Sequence, residues 1–381
     1  MNGTASYSIS GSGNYLFAGD SLYVARSSNN GLSWTTVFVQ TYAYRNFVAF
    51  SGSTLINGVL SPFNSIGGIY QSSNYGLIWN YRVGRLNVES IQINGNMVFA
   101  GLDTHGVYRS SNYGVVWDST TFNNQSVFSL SINGNYVYAG TSNNGVFASS
   151  DNGYNWIQSS LNNQTIWSLT NTGNILYAGS DSGVYYSSDN GSTWVHSSLT
   201  NQRIYSLITF LNYVFAGSNG NGLYLSTDFG TSWIQRNEGM IIAPIIKAIY
   251  IFNYYIFAGT QQGLIYRRPL GELIGVKPIS EEIPIAFALY QNYPNPFNPV
   301  TKIKFSIPFL PLGKGEAEGV GVVTLNIYDI LGREVATLVN EKLSPGTYEV
   351  EWNGSNYSSG IYFYKFSAGE FMETRKMLLV K

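Results

Sequence analysis

The sequence predicts an all-β protein: a seven-bladed β-propeller whose last blade is incomplete, followed by a C-terminal immunoglobulin-like β-sandwich. Three observations carry that expectation. The pattern Ser/Thr-x-Asp/Asn-x-Gly-x-x-Trp occurs six times and puts Trp34, Trp79, Trp117, Trp156, Trp194 and Trp233 in one register, at spacings of 45, 38, 39, 38 and 39 residues. A fixed period of that size marks blades or solenoid units. Upstream of the boxes a second piece recurs, ending at Phe17-Ala18-Gly19, Phe99-Ala100-Gly101, Tyr138-Ala139-Gly140, Tyr177-Ala178-Gly179, Phe215-Ala216-Gly217 and Phe257-Ala258-Gly259, with Ile56-Asn57-Gly58 in the second unit's slot. From Pro269 onward the composition changes.

Each part of the box has a physical role. In Ser149 to Trp156 the Asp151-Asn152-Gly153 segment lies between two apolar runs and reads as a tight hairpin, with Gly153 free to take positive φ. Ser149 and Asp151 can accept backbone N–H groups around the turn, and the Trp156 ring folds onto the hairpin. The same structural roles fall to Asp189, Gly191 and Trp194 and to Asp228, Gly230 and Trp233. Asn29, Asn74 and Asn112 stand where those aspartates stand, so the position needs an acceptor and not an anion. That argues against catalysis or metal binding by the boxes.

Unit four sets the blade. Val127 to Ile132 is its first strand, Asn133-Gly134-Asn135 a hairpin, Tyr136 to Thr141 the second, Gly145 to Ser149 the third and Trp156 to Ser159 the fourth. Four short strands per unit describe a propeller blade, and a closed ring removes exposed sheet ends. The apolar run Ile241 to Phe257 is interrupted by Pro244, Lys247 and Asn253 and falls into register as the first two strands of unit seven, so no transmembrane segment is expected. Unit seven stops after Leu264 to Arg268 with no box. The expectation is that the strand closing the ring, and a signal peptide with it, are missing from the start of this sequence.

Residues 1–268 thus form the propeller and 269–286 a Pro-rich linker marked by Pro278, Pro284 and Glu281-Glu282. Residues 287–381 form the sandwich. Its strands are expected around Ile303 to Ile307, Val323 to Ile327, Val335 to Val339, Thr347 to Trp352, Ile361 to Phe366 and Glu373 to Val380, with a long loop from Pro308 to Gly321.

Composition narrows the function. Charged residues are 11%, net charge is -1, and there are 30 tyrosines and 41 glycines. Ordinary domains carry roughly 25% charged residues, and without a basic face nucleic acid is not an expected partner. No cysteine excludes disulfides and thiolate sites, and His105 and His196 make no metal motif. No cofactor or metal is expected.

The six boxes resemble the Asp-box, or BNR, repeat of sialidases, sortilin-type receptors, xyloglucan-active hydrolases and photosystem assembly propellers. The resemblance implies the fold and leaves the chemistry open. The tail resembles the C-terminal sorting domain of type IX secretion cargo. The motifs are Tyr293-Pro294-Asn295-Pro296-Phe297-Asn298-Pro299, Ile327-Tyr328-Asp329, Gly332-Arg333-Glu334-Val335, Ser359-Gly360-Ile361-Tyr362 and Lys376 to Lys381. It implies handling by the type IX machinery and a secreted or outer-membrane-surface protein of a Gram-negative-type bacterium.

Three functions fit. The first is a non-catalytic binding or adhesion module, expected to be a monomer, for a polysaccharide or a surface protein. The loops entering each first strand and the loops between strands two and three share one ring face. They offer Tyr42, Tyr44, Arg45, Arg82, Arg85, His105, Asn124, Gln125, Asn163, Gln164, Asn201, Gln202 and Arg203, with an insertion from Val59 to Gly68. Amides and aromatics of this kind suit glycans or a neutral protein surface, although Asn-Gln can equally be the turn between blades. The second is a glycoside hydrolase, which needs two carboxylates about 5 to 9.5 Å apart from among Asp20, Glu89, Asp103, Asp118, Asp181 and Glu238. The third is an envelope assembly scaffold. No catalytic residue is assigned.

Overall fold

The computed structural model describes residues 5–381 except 41, 63–66, 211–212, 241–242, 254, 275–276, 281–283, 285, 309–321, 342 and 344–345. The expected insertion at Val59 to Gly68 and loop at Pro308 to Gly321 lie partly, and Glu281-Glu282 wholly, outside the described residues. The chain divides into two compact units, Met1–Arg268 and Pro269–Lys381.

The first unit holds seven antiparallel sheets, each meandering outward in chain order. Blade four runs Val127–Asn133, Tyr136–Thr141, Val146–Ser149 and Ile157–Gln158. Six blades have four strands, and the seventh has three among the described residues: Ile246–Phe252, Tyr255–Thr260 and Ile265–Pro269.

Side-to-side packing closes the ring between the seventh blade and the first. Ile9, Leu16 and Ala18 share a buried cluster with Ala248, Phe252 and Phe257. The Tyr250 hydroxyl donates to the Gly11 carbonyl (2.8 Å), Asn253 Nδ2 to Asn30 Oδ1 (2.7 Å) and an Arg267 guanidinium N–H to the Asn30 carbonyl (2.9 Å).

The boxes are built as the pattern demands. Ser149 Oγ accepts from the Gly153 N–H (2.9 Å), Asp151 Oδ1 from the Asn155 N–H (2.9 Å), and Trp156 Nε1 donates to the Gly153 carbonyl (3.0 Å). In the box led by Ser110, Asn112 Oδ1 takes the same bond from the Val116 N–H (2.8 Å). The box glycine also reaches outside its own blade. A Cβ on Gly153 would meet Phe99 of blade three at 2.8 Å, and one on Gly230 would meet Tyr177 of blade five at 2.8 Å. The two recurring motifs are therefore partners, the aromatic of one blade receiving the hairpin of the next.

In the second unit two four-stranded sheets enclose one core that includes Phe305, Leu325, Trp352, Tyr364 and Phe366. The strands Val300–Ile307, Val323–Tyr328, Glu334–Glu341, Gly346–Asn353, Gly360–Ala368 and Phe371–Leu379 fall where period-2 alternation puts them. The 269–286 segment departs from a plain linker, because Lys277–Ser280 pairs antiparallel with Gly346–Asn353 and Leu270–Ile274 forms a short helix. Pro-rich composition hid a strand at a sheet edge, where proline is tolerated. The proline-rich motif is a folded entry: Asn292 Nδ2 donates to Thr301 Oγ1 (2.9 Å) and to the Pro294 carbonyl (3.0 Å), and Phe297 is buried.

Candidate ligand-binding site

The innermost strands share a local sequence: a buried residue, a variable one, a small one and an apolar one. Val127-Phe128-Ser129-Leu130, Ile166-Trp167-Ser168-Leu169 and Ile204-Tyr205-Ser206-Leu207 show it most clearly. The small residue laces neighbouring blades. The Ser8 hydroxyl donates to the Asn46 carbonyl (3.0 Å), and Ser168 Oγ and Ser206 Oγ accept the N–H groups of Leu207 (2.9 Å) and Ile249 (2.8 Å). Radially arranged inner strands do not form a ladder with each other, and these hydroxyls satisfy backbone groups that would otherwise be orphaned.

The variable residue faces the axis. In six of the seven blades the pairing of strands one and two shifts at this residue, for example between Val127 and Ser129, between Ile166 and Ser168 and between Ile204 and Ser206. A β-bulge leaves one residue unpaired and re-aims its side chain. The seven residues so presented are Tyr7, Phe47, Glu89, Phe128, Trp167, Tyr205 and Lys247, Phe47 coming from the one regularly paired blade. They line a cavity of about 420 Å³, together with Arg45 and Arg203.

The rings form an arc. Phe128 stacks on Trp167 (centroids 5.0 Å, 10°), and Trp167 meets Tyr205 edge-on (5.5 Å, 70°). Tyr7 of the first blade and Phe47 of the second lie 6.5 Å apart. Charges occupy the gaps. Glu89 pairs with Arg45 (3.3 Å), which also sits over the Tyr7 ring (5.0 Å). Arg203 pairs with Asp181 and sits over Trp167 (5.2 Å), whose indole N–H donates to Asp181 (2.9 Å). Lys247 Nζ is 3.2 Å from the Tyr205 ring centroid.

These surroundings shift the acids and bases. Burial pushes the Glu89 carboxyl up to about 7 against the opposing pull of Arg45. Burial lowers the Lys247 ammonium, and the neighbouring Arg45 and Arg203 charges lower it further. Burial tends to raise the Tyr205 phenol, but hydrogen bonds to Arg203 and Lys247 outweigh it and the net shift is downward.

Of the residues expected from sequence, the structure brings Arg45 and Arg203 into this cavity. The exposed Tyr44 ring lies against Arg45 (5.3 Å) and Tyr42 is exposed. Arg82 is bound to Gln71 Oε1 (2.6 and 3.0 Å), and Arg85 takes a positive φ of 64° in a turn. His105 Nδ1 lies 2.8 Å from the Asp103 carbonyl oxygen.

The Asn-Gln pairs build turns. Asn124, Asn163 and Asn201 have φ of 63°, 57° and 59°, which asparagine tolerates. Gln125, Gln164 and Gln202 each accept a side-chain bond from the facing loop, from Asn144 (2.7 Å), Ser182 (3.3 Å) and Asn221 (3.1 Å). Among the expected carboxylates only Glu89 lines the cavity. Asp20 accepts the Leu22 and Tyr23 N–H groups in a turn, Asp103 holds Ser126, Glu238 pairs with Arg268 and Asp118 is exposed on an outer strand. No group of three His, Cys, Asp or Glu comes together to hold a metal among the described residues, and no helix there is long and apolar enough to cross a membrane.

Apart from Glu89, sequence reasoning missed the axial residues because strand periodicity treats them as ordinary inward positions. A signal was present: Trp167 and Trp352 are the two tryptophans outside the box register, and Trp167 is the one in the propeller.

Residues 291–381 match the secretion system C-terminal sorting domain family. The tail is a type IX sorting domain. It marks an exported protein, secreted or held at the cell surface. No curated protein sequence matches the chain. Among solved structures, a GH74 xyloglucanase from Xanthomonas campestris aligns at TM-score 0.58 and 11% identity, over 97% of this chain and 73% of its own. YCF48 bound to D1 peptide aligns at 0.56 and 15%, over 70% and 92%. The extracellular domain of the putative hybrid two component system BT4673 from B. thetaiotaomicron aligns at 0.55 and 16%, over 80% and 44%. At such identities the likeness concerns the fold, which is a β-propeller preceding the sorting domain.

Proposed function

We propose that the propeller is a non-catalytic binding module that works outside the cell and takes a saccharide into its axial cavity. The observation that carries this reading is the bulged ring itself, which aims Phe128, Trp167 and Tyr205 at one cavity as an arc of faces. Flat aromatic area with a few placed polar groups is the make-up of a small-molecule site. The serines, Gln92 and the cations offer partners for hydroxyls. A binding reading also fits the carboxylates: among the described residues Glu89 is the one carboxylate in the lining, and Asp181 is committed to Arg203 and Trp167.

The test is to incubate the full chain with plant, algal and host glycans, scoring retention and product release together, beside the Trp167→Ala variant. Retention without release, lost in the variant, supports the module. Neither retention nor release, from a folded sample, would favour scaffolding.

One observation favours hydrolysis as a second reading. A carboxyl held near pH 7, as Glu89 is, suits a general acid. Release of sugars that stops in Glu89→Gln would support it.

A further inference from the structure

The charges around the cavity do not balance. Arg45 has Glu89 and Arg203 has Asp181. Lys247 has a neutral phenol and two like charges: its ammonium lies against Tyr205, over the ring and within reach of the hydroxyl, and the cations acting on it are Arg45 and Arg203. No ion pair involves it among the described residues, although it is half-buried. The six equivalent positions in the other blades carry five aromatic rings and Glu89, so the lysine is not imposed by the repeat. It is the unpaired residue of a bulge between Ile246 and Ala248, which turns it to the axis.

A half-buried cation facing two others is costly unless an anion joins it. From this imbalance we infer that the axial cavity takes an acidic saccharide, its anionic group against Lys247 and Arg203 and its ring on Trp167 and Phe128. The inference rests on the binding reading above and adds the charge of the ligand. Geometry supports it in two ways. Lys247 adjoins Tyr205, which adjoins Trp167, so the anion site and the stacking surface are continuous. Arg203 spans both, over Trp167 and donating to the Tyr205 hydroxyl (3.2 Å). A cavity of about 420 Å³ suits a ligand of one or two sugar rings.

The experiment is calorimetric titration of the full chain with paired oligosaccharides differing only in charge: oligogalacturonate, oligoglucuronate and oligomannuronate, each as free acid and as methyl ester. The expected result is that at least one acid binds tenfold or more tighter than its ester. The difference disappears in Lys247→Met, survives in Lys247→Arg and shrinks with added salt, while unfolding midpoints show both variants folded.

Equal binding of acid and ester overturns the inference but leaves a saccharide-binding module standing. No binding of any acid overturns it as well. Two peptides, one ending in a free carboxylate and the other in an amide, form the remaining arm. Binding of the free-carboxylate peptide alone overturns the saccharide assignment in favour of an acidic peptide.

Discussion

Gly31 of the first blade and Phe257 of the seventh are in contact where the ring closes: a Cβ on Gly31 would lie 2.6 Å from Phe257 Cε1. It is the same pairing that joins Gly153 to Phe99 and Gly230 to Tyr177, so the last blade is joined to the first by the motif that joins blade three to four and blade five to six. Gly31 also has φ of 77°. Gly31→Ala is therefore expected to destabilise the propeller by about 2–3 kcal/mol, through left-handed strain plus overpacking. Gly134→Ala, at φ of 60° with open space around it, should cost about 1 kcal/mol. Urea unfolding of the two variants measures the difference.

The box aspartates act as acceptors. Asp151 and Asp189 are held down at about 2, Asp151 chiefly by bonds from Asn155 and Asp189 chiefly by bonds from Thr193. A carboxylate with a depressed folded value contributes stability above its unfolded value, near 4, and loses it as pH falls toward 2. Asp151→Asn should behave like the natural Asn112 box at pH 7 and lose less on acidification than the parent. Melting curves from pH 7 to pH 2 check this.

Tyr113 occupies the box position taken by Asn152 and Asn190, at φ of 58° with its side chain half exposed. Asparagine tolerates that conformation better, and the strain on a bulky residue is about 1 kcal/mol. Tyr113→Asn is expected to raise the melting temperature by about 2 °C. A fall would mean that the ring contributes packing.

Glu89 gives the opposite pH dependence to the boxes. Its folded value is near 7, above the usual 4.5, so between those values the folded chain holds a proton that the unfolded chain releases. Stability contributed by this group declines as pH rises through that window. The stability of Glu89→Gln relative to the parent should therefore rise between pH 4.5 and pH 8, by on the order of 2 kcal/mol. Urea titrations at both values decide it.

The fold was legible because its signals are local. A hairpin such as Asp151 to Gly153 dictates its own turn, and alternation such as Ile303, Phe305, Ile307 dictates a strand. The site was legible only in Arg45, Arg203 and Glu89, which lie at or near the start of the inner strands. Trp167, Tyr205 and Lys247 are brought together from three blades by bulges, and a bulge is a property of pairing that no single strand spells out. The polarity of the asparagine-glutamine pairs suits both a ligand and a turn; positive φ at Asn163 and the bond from Ser182 to Gln164 show them building the turn.

The most direct measurement is a crystal structure of the full chain with the saccharide it retains best. The ring should lie on Trp167 and Phe128 inside the axial cavity, with an acidic group at Lys247. A saccharide seated on the rim loops of Gln125 and Gln164, or on the outer strands, with the cavity holding only water, would contradict the axial site.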